Sequence, residues 1–93
     1  SYPMTDVFLL VYSMISPTSL ENVRTKWFPE VKHFCPTVPI VLVGTKSDLV
    51  NDANIVNRLA ERNQHPVTPA EGAAMAQEIG AYKHIVCSAR TFE

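Results

Sequence analysis

The sequence predicts an α/β fold built on a parallel sheet, and three observations carry that prediction. Short, continuous apolar runs rich in β-branched and aromatic residues recur along the chain. Stretches with helical periodicity and recognisable start signals lie between them. The two kinds of segment alternate, in the order strand, helix, strand, short helix, helix, strand, which is the pattern of strands joined by helical crossovers.

The first run, Val7-Phe8-Leu9-Leu10-Val11-Tyr12, has no polar alternation and reads as a strand buried on both faces. Next come Leu20, Val23, Trp27, Val31 and Phe34, spaced by three and four residues, which form one apolar stripe with Trp27 in the core. Two start signals precede that stripe: Ser16-Pro17 as cap and first helical residue, and Thr18 with Glu21 as a capping box. Pro29 lies inside the stripe, removes a backbone donor and should kink or split the helix. Ile40-Val41-Leu42-Val43 is the second strand, and His84-Ile85-Val86-Cys87 is a weaker third. Between them, residues 52–63 read as a short helix with Ile55 and Leu59 on one side and Asn57, Arg58, Glu61 and Arg62 in solvent. The next helix has a sharper start: Thr68-Pro69-Ala70-Glu71 combines an N-cap, a proline at the first position and a capping-box glutamate. Ala73, Met75, Ala76 and Ile79 form its packing face, and Gly80 sits where a C-terminal cap belongs.

Composition narrows the function. The chain has 93 residues, one small domain's worth, with 46% hydrophobic and 18% charged residues. The formal net charge of -1 gives no electrostatic footprint for nucleic acid or an anionic membrane. The two cysteines, Cys35 and Cys87, make no disulfide framework and suit a reducing cytoplasm. The three histidines, His33, His65 and His84, have no ligand-like spacing with them, so no metal site is expected. No apolar run approaches the about 18 residues of a membrane span.

In open parallel sheets, ligands bind beyond the carboxyl ends of the strands. Two loops fill that position: Gly44-Thr45-Lys46-Ser47-Asp48 after the second strand, and Cys87-Ser88-Ala89-Arg90 after the third. Their residue types suit a purine. A carboxylate at Asp48 offers two acceptors in one plane, matching the ring N1–H and the 2-amino group of guanine. Adenine would leave it unpaired, and an unsatisfied buried polar group costs about 1–3 kcal/mol or more. Lys46 can lay its alkyl stem across the base. The backbone N–H of Ala89 suits the guanine carbonyl, and Ser88 suits orienting Asp48 or tying the loops together. Taken singly, each motif also has a plainer reading: Thr-Lys-Ser-Asp as an ordinary polar turn, and Cys-Ser-Ala as a strand end of small residues.

These segments together resemble the Rho family of small GTPases, closest to its Rac-like members. Tyr2-Pro3-Met4-Thr5-Asp6-Val7 is similar to the family's entry into its fourth strand. Ser16-Pro17-Thr18-Ser19-Leu20-Glu21-Asn22-Val23 and Lys26-Trp27-Phe28-Pro29-Glu30 resemble its third helix, proline included. Val43-Gly44-Thr45-Lys46-Ser47-Asp48-Leu49 resembles the guanine-specificity motif, and Cys87-Ser88-Ala89 the last nucleotide loop. Residues 72–81 resemble the Rac fourth helix, and residues 52–63 the insert helix that sets the Rho family apart. Two positions depart from the wider pattern. Thr45 stands where small GTPases at large have Asn, as in the Rac branch, and Arg90 stands where the family usually has Lys or Leu.

The resemblance implies the second half of a parallel, three-layer P-loop-NTPase-type sheet: about three strands, their helices and the insert helix. It assigns residues 1–93 to the guanine-base-binding half of the domain, with Thr45, Lys46, Asp48, Ser88, Ala89 and Arg90 as nucleotide contacts. The Gly-rich phosphate loop, both switch segments, the final helix and a lipidated tail are not in these residues. Phosphoryl transfer needs those parts. The resemblance therefore implies GTP/GDP as ligand, Mg²⁺ ligands and catalytic residues outside this segment, and no hydrolysis by the segment alone. For the complete protein it implies a GTP-hydrolysing signalling switch with effectors, exchange factors and GTPase-activating proteins as partners, cytoplasmic and associated with membrane through the tail. Two other readings stand beside it: a truncated or degenerate GTPase-like domain acting as a non-catalytic interaction module, and an unrelated flavodoxin-like domain.

Overall fold

A computed structural model describes residues 7–87. The chain forms β1 (Phe8–Ser13), helices α1 (Pro17–Asn22) and α2 (Phe28–Phe34) joined by a π-turn (Val23–Trp27), and β2 (Ile40–Thr45). A 3₁₀ turn (Ser47–Leu49), α3 (Ala53–Ala60), α4 (Pro69–Glu78) and β3 (Lys83–Val86) follow. The three strands are parallel and lie in the order β1-β2-β3. The element order is the one the sequence predicts.

Of the two start signals for the first helix, Ser16 is the one used. Its hydroxyl accepts from the Ser19 N–H at 3.3 Å, and Pro17 occupies the first turn, where a missing N–H costs nothing. Thr18 lies inside the helix, and Glu21 instead meets Arg24 at 2.5 Å. Pro29 has the predicted effect, in a specific form. It has no N–H to donate one turn back, and its ring needs room, so the turn before it widens. Phe28 donates to the carbonyl of Val23, five residues earlier.

That extra residue shifts the phase of everything beyond it and corrects the predicted stripe. Leu20, Val23 and Val31 are buried, but Phe28 packs on the core in place of Trp27. Trp27 is 42% exposed and Phe34 71%. Both line a groove of about 460 Å³ beside β1, together with Phe8, Leu9, Val11 and Val31.

The core sits on one face of the sheet, where Leu10, Tyr12, Ile40 and Leu42 meet Leu20, Val23 and Val31 from the first helical stretch and Met75, Ala76 and Ile79 from α4. The expectation that the first strand is buried on both faces fails. Leu9 is 59% and Val11 55% exposed, alternating with buried Leu10 and Tyr12. Among the described residues, the helices that contribute to the core all pack against the Leu10–Tyr12 side.

α4 begins with both limbs of its capping box formed: Glu71 N–H to the Thr68 hydroxyl at 3.1 Å, and Thr68 N–H to the Glu71 carboxylate at 2.9 Å. Its buried face is Gly72, Met75, Ala76 and Ile79; the predicted Ala73 is exposed, and Gly72 takes its place. Gly80 ends the helix at φ +69°, the left-handed conformation that glycine adopts without steric cost. α3 is capped by Asp52, which accepts from the Asn54 and Ile55 N–H groups at 2.9 and 3.3 Å. Leu59 is buried, Ile55 is partly buried, and Asn57, Arg58, Glu61 and Arg62 are exposed.

Candidate functional site

The turn after β2 is fixed from both sides. The Thr45 hydroxyl donates to the Tyr12 carbonyl at 3.0 Å, and the Thr45 carbonyl accepts from Met14 N–H at 2.9 Å. Towards β3, Cys87 N–H donates to the Gly44 carbonyl at 2.8 Å, and the Cys87 carbonyl accepts from Ser47 N–H at 3.2 Å. The turn after β2 and the end of β3 therefore lie on the same edge of the sheet and touch at Cys87. Lys46 takes the left-handed conformation, φ 60° and ψ 35°, which costs a non-glycine residue about 1–2 kcal/mol. This sharp bend lets the chain enter the 3₁₀ turn that carries Asp48, closed by Leu49 N–H on the Lys46 carbonyl at 3.1 Å.

Lys46 and Asp48 are exposed, and Thr45 is half-buried. Neither Lys46 nor Asp48 has a side-chain hydrogen bond or ion pair among the described residues. The structure thus brings together Thr45, Lys46 and Asp48 beside the end of β3. Ser88, Ala89 and Arg90, the remaining predicted contacts, lie outside the described residues. Among those described, no three His, Cys, Asp or Glu side chains are grouped to hold a metal, Cys35 and Cys87 are both free, and no helix is long and apolar enough to cross a membrane.

One pair behind this turn escaped the sequence reading. The hydroxyl of Tyr12 lies 2.8 Å from Nε2 of His84. A signal for it existed in two glycines. Gly44 lies in a strand and Gly72 in a helix interior, places where glycine marks close approach of a neighbour. A Cβ on Gly44 would stand 2.6 Å from the Tyr12 hydroxyl, and one on Gly72 would overlap the same oxygen. Burial raises the Tyr12 pKa and holds that of His84 below its ordinary value. A second unforeseen link is at the surface. Arg24 forks onto the Glu78 carboxylate at 2.7 and 3.0 Å, joining the first helical stretch to α4 and holding the Glu78 carboxyl below its usual range.

A parallel sheet of this strand order, with a polar turn at the carboxyl end of its middle strand, is the α/β architecture of P-loop GTPases. The comparisons with known proteins agree. The model of the Ras family matches residues 1–93. The GTP-binding protein rho1 of Schizosaccharomyces pombe is 54% identical over 93 residues, which is 100% of this chain and 46% of that protein. The chain belongs to the Ras family, as a segment of Rho type. It spans about half the length of the curated relative it matches. The flavodoxin-like reading is thereby set aside, and the non-catalytic module is not favoured.

Proposed function

We propose that the Thr45–Asp48 turn is the guanine-recognising element of a GTP-binding and GTP-hydrolysing Rho-type switch. The observation that carries this reading is the turn itself: an exposed carboxylate and an exposed lysine without side-chain partners among the described residues, on a bend held to the end of the neighbouring parallel strand. The donor set fits the base. Asp48 accepts from the guanine N1–H and 2-amino groups, and the Lys46 stem covers the ring. Thr45, already committed to the Tyr12 carbonyl, shapes the turn more than it reads the base. Ser88, Ala89 and Arg90 complete the pocket, with the Ala89 N–H on the guanine carbonyl.

The donor set does not suit Mg²⁺, since the described residues offer no cluster of metal ligands. Phosphate binding, Mg²⁺ and hydrolysis belong to other parts of the complete protein, and this segment binds and orients the base. The relative's description as a GTP-binding protein supports the reading. Exchange factors, GTPase-activating proteins and effectors are the partners of such a switch, which works in the cytoplasm and at membranes reached through a lipidated tail. The test is the base preference of the complete protein after Asp48→Asn.

A further inference from the structure

Tyr12 and His84 stand on β1 and β3, the two outer strands, which share no backbone hydrogen bonds. They meet on the helix-covered face, across β2, with Oη and Nε2 2.8 Å apart and the rings within 16° of parallel. The register places Tyr12 beside Gly44, and His84 beside Leu42. Gly44 beneath and Gly72 on α4 leave room for the phenol; a Cβ at Gly72 would also stand 2.7 Å from the imidazole Cε1. The pair is therefore a built crosspiece, with two positions kept side-chain-free around it.

The crosspiece ends where the turn is suspended. The carbonyl of Tyr12 itself accepts from the Thr45 hydroxyl at 3.0 Å. Three residues past His84, Cys87 holds Gly44 and Ser47 by its backbone. Separating β1 from β3 would thus pull on both attachments of the turn.

We propose that Tyr12 and His84 are positioning residues for the Thr45–Asp48 turn, and that proton uptake by His84 loosens the turn and speeds release of guanine nucleotide. This inference rests on reading that turn as the base-binding element. A neutral imidazole nitrogen can accept the phenol proton, whereas an imidazolium only donates. Protonation then reverses the bond, with Nε2–H donating to the phenol oxygen; the Tyr12 O–H loses its acceptor and a charge stands under α4, both costly in a partly dry site. Among the described residues, the titratable group facing His84 is Tyr12; Leu42 and Gly72 face it from β2 and α4, and Glu71 beside Gly72 is engaged with the Thr68 N–H and lies 3.6 Å from His65.

The experiment follows release of a fluorescent GDP analogue from the complete protein between about pH 7.5 and about pH 5.5, the range of histidine titration. Wild type, Tyr12→Phe, His84→Gln and Asp48→Asn are compared. At neutral pH, Tyr12→Phe releases nucleotide about threefold to tenfold faster, the equivalent of one neutral hydrogen bond. His84→Gln, whose amide keeps the bond without titrating, releases near the wild-type rate at neutral pH and lacks the wild-type acceleration in acid. Identical pH profiles for wild type and His84→Gln would overturn the inference. So would Tyr12→Phe that melts earlier yet releases at the wild-type rate, since the pair would then be merely structural. If Asp48→Asn switches base preference while the other two variants are silent, the inference alone fails. If Asp48→Asn keeps its guanine preference, the base-loop reading fails and takes the inference with it.

Discussion

The N–H of Ser47 meets the carbonyl of Cys87 at 3.2 Å, and with the Cys87 N–H on the Gly44 carbonyl this bond ties the turn after β2 to the end of β3. The two segments are 40 residues apart in sequence (87 minus 47) and adjacent in space because β2 and β3 are parallel neighbours. The bond uses backbone atoms only, so it engages neither the Lys46 nor the Asp48 side chain.

Gly72 is the tightest point behind that turn. Gly→Ala in a helix interior ordinarily stabilises by about 1 kcal/mol. Here the added methyl overlaps the Tyr12 hydroxyl and crowds His84, and overpacking costs about 1–3 kcal/mol. Gly72→Ala should therefore lower the stability of the complete protein in urea unfolding. Gly80→Ala, whose Cβ would meet nothing within 4 Å, should cost about 1 kcal/mol through its positive φ alone. A stabilised Gly72→Ala would contradict the packing described for Tyr12.

Acid should weaken the fold through His84. Burial lowers its folded-state pKa below the ordinary 6.5, so just below that pH the unfolded chain binds more protons than the folded one. The contribution is fully present above pH 6.5 and is lost as pH falls through the folded value. Stability measured against pH should decline from about 6.5 downwards, and less steeply in His84→Gln. Parallel declines in the two proteins would remove His84 from the account.

The insert helix α3 should matter little to the nucleotide. Arg58 and Arg62 are exposed, and neither forms an ion pair among the described residues. Replacing both by Ala should change stability by less than about 0.5 kcal/mol, as at ordinary surface sites. GDP affinity, measured by titration, should hold; a tenfold loss, about 1.4 kcal/mol, would place this helix in the nucleotide site.

The segment of residues 1–93 on its own should self-associate. Leu9, Val11 and Ile85 are 59%, 55% and 40% exposed, and among the described residues no strand pairs with the outer edge of β1. Sedimentation should show species heavier than a monomer, reduced by Leu9→Lys and Val11→Lys. A monodisperse monomer with a sharp thermal transition would contradict this.

Much of this was legible in the sequence, and the misses have local causes. The capping signals at Ser16 and Thr68 and the left-handed Gly80 act within a few residues, so sequence exposes them. Trp27 was misplaced because a single widened turn before Pro29 moves the buried stripe by one position, which periodicity counting does not register. The exposure of Leu9 and Val11 escaped because an apolar run records the face a strand is made to bury, and among the described residues the core helices pack on its other side. At the site, Asp48 and Lys46 were legible from residue type after a strand. The left-handed bend at Lys46 and the Tyr12–His84 bond were not, since each depends on partners 33 or more residues away, as with Thr45 to Tyr12 and Tyr12 to His84.

The central claim is that Asp48 reads the base. Asp48→Asn keeps one acceptor for the guanine N1–H but turns the other oxygen into an NH₂ that faces the guanine amino group, donor against donor. Xanthine carries a carbonyl at that position and accepts from the new amide. Competition titration of guanine and xanthine nucleotides against the complete protein and its Asp48→Asn variant measures this directly. Guanine-nucleotide binding should weaken by about 2–5 kcal/mol, the range for breaking a buried charged hydrogen-bond pair, and xanthine nucleotides should become the better ligands. An Asp48→Asn protein that still prefers guanine would contradict the account.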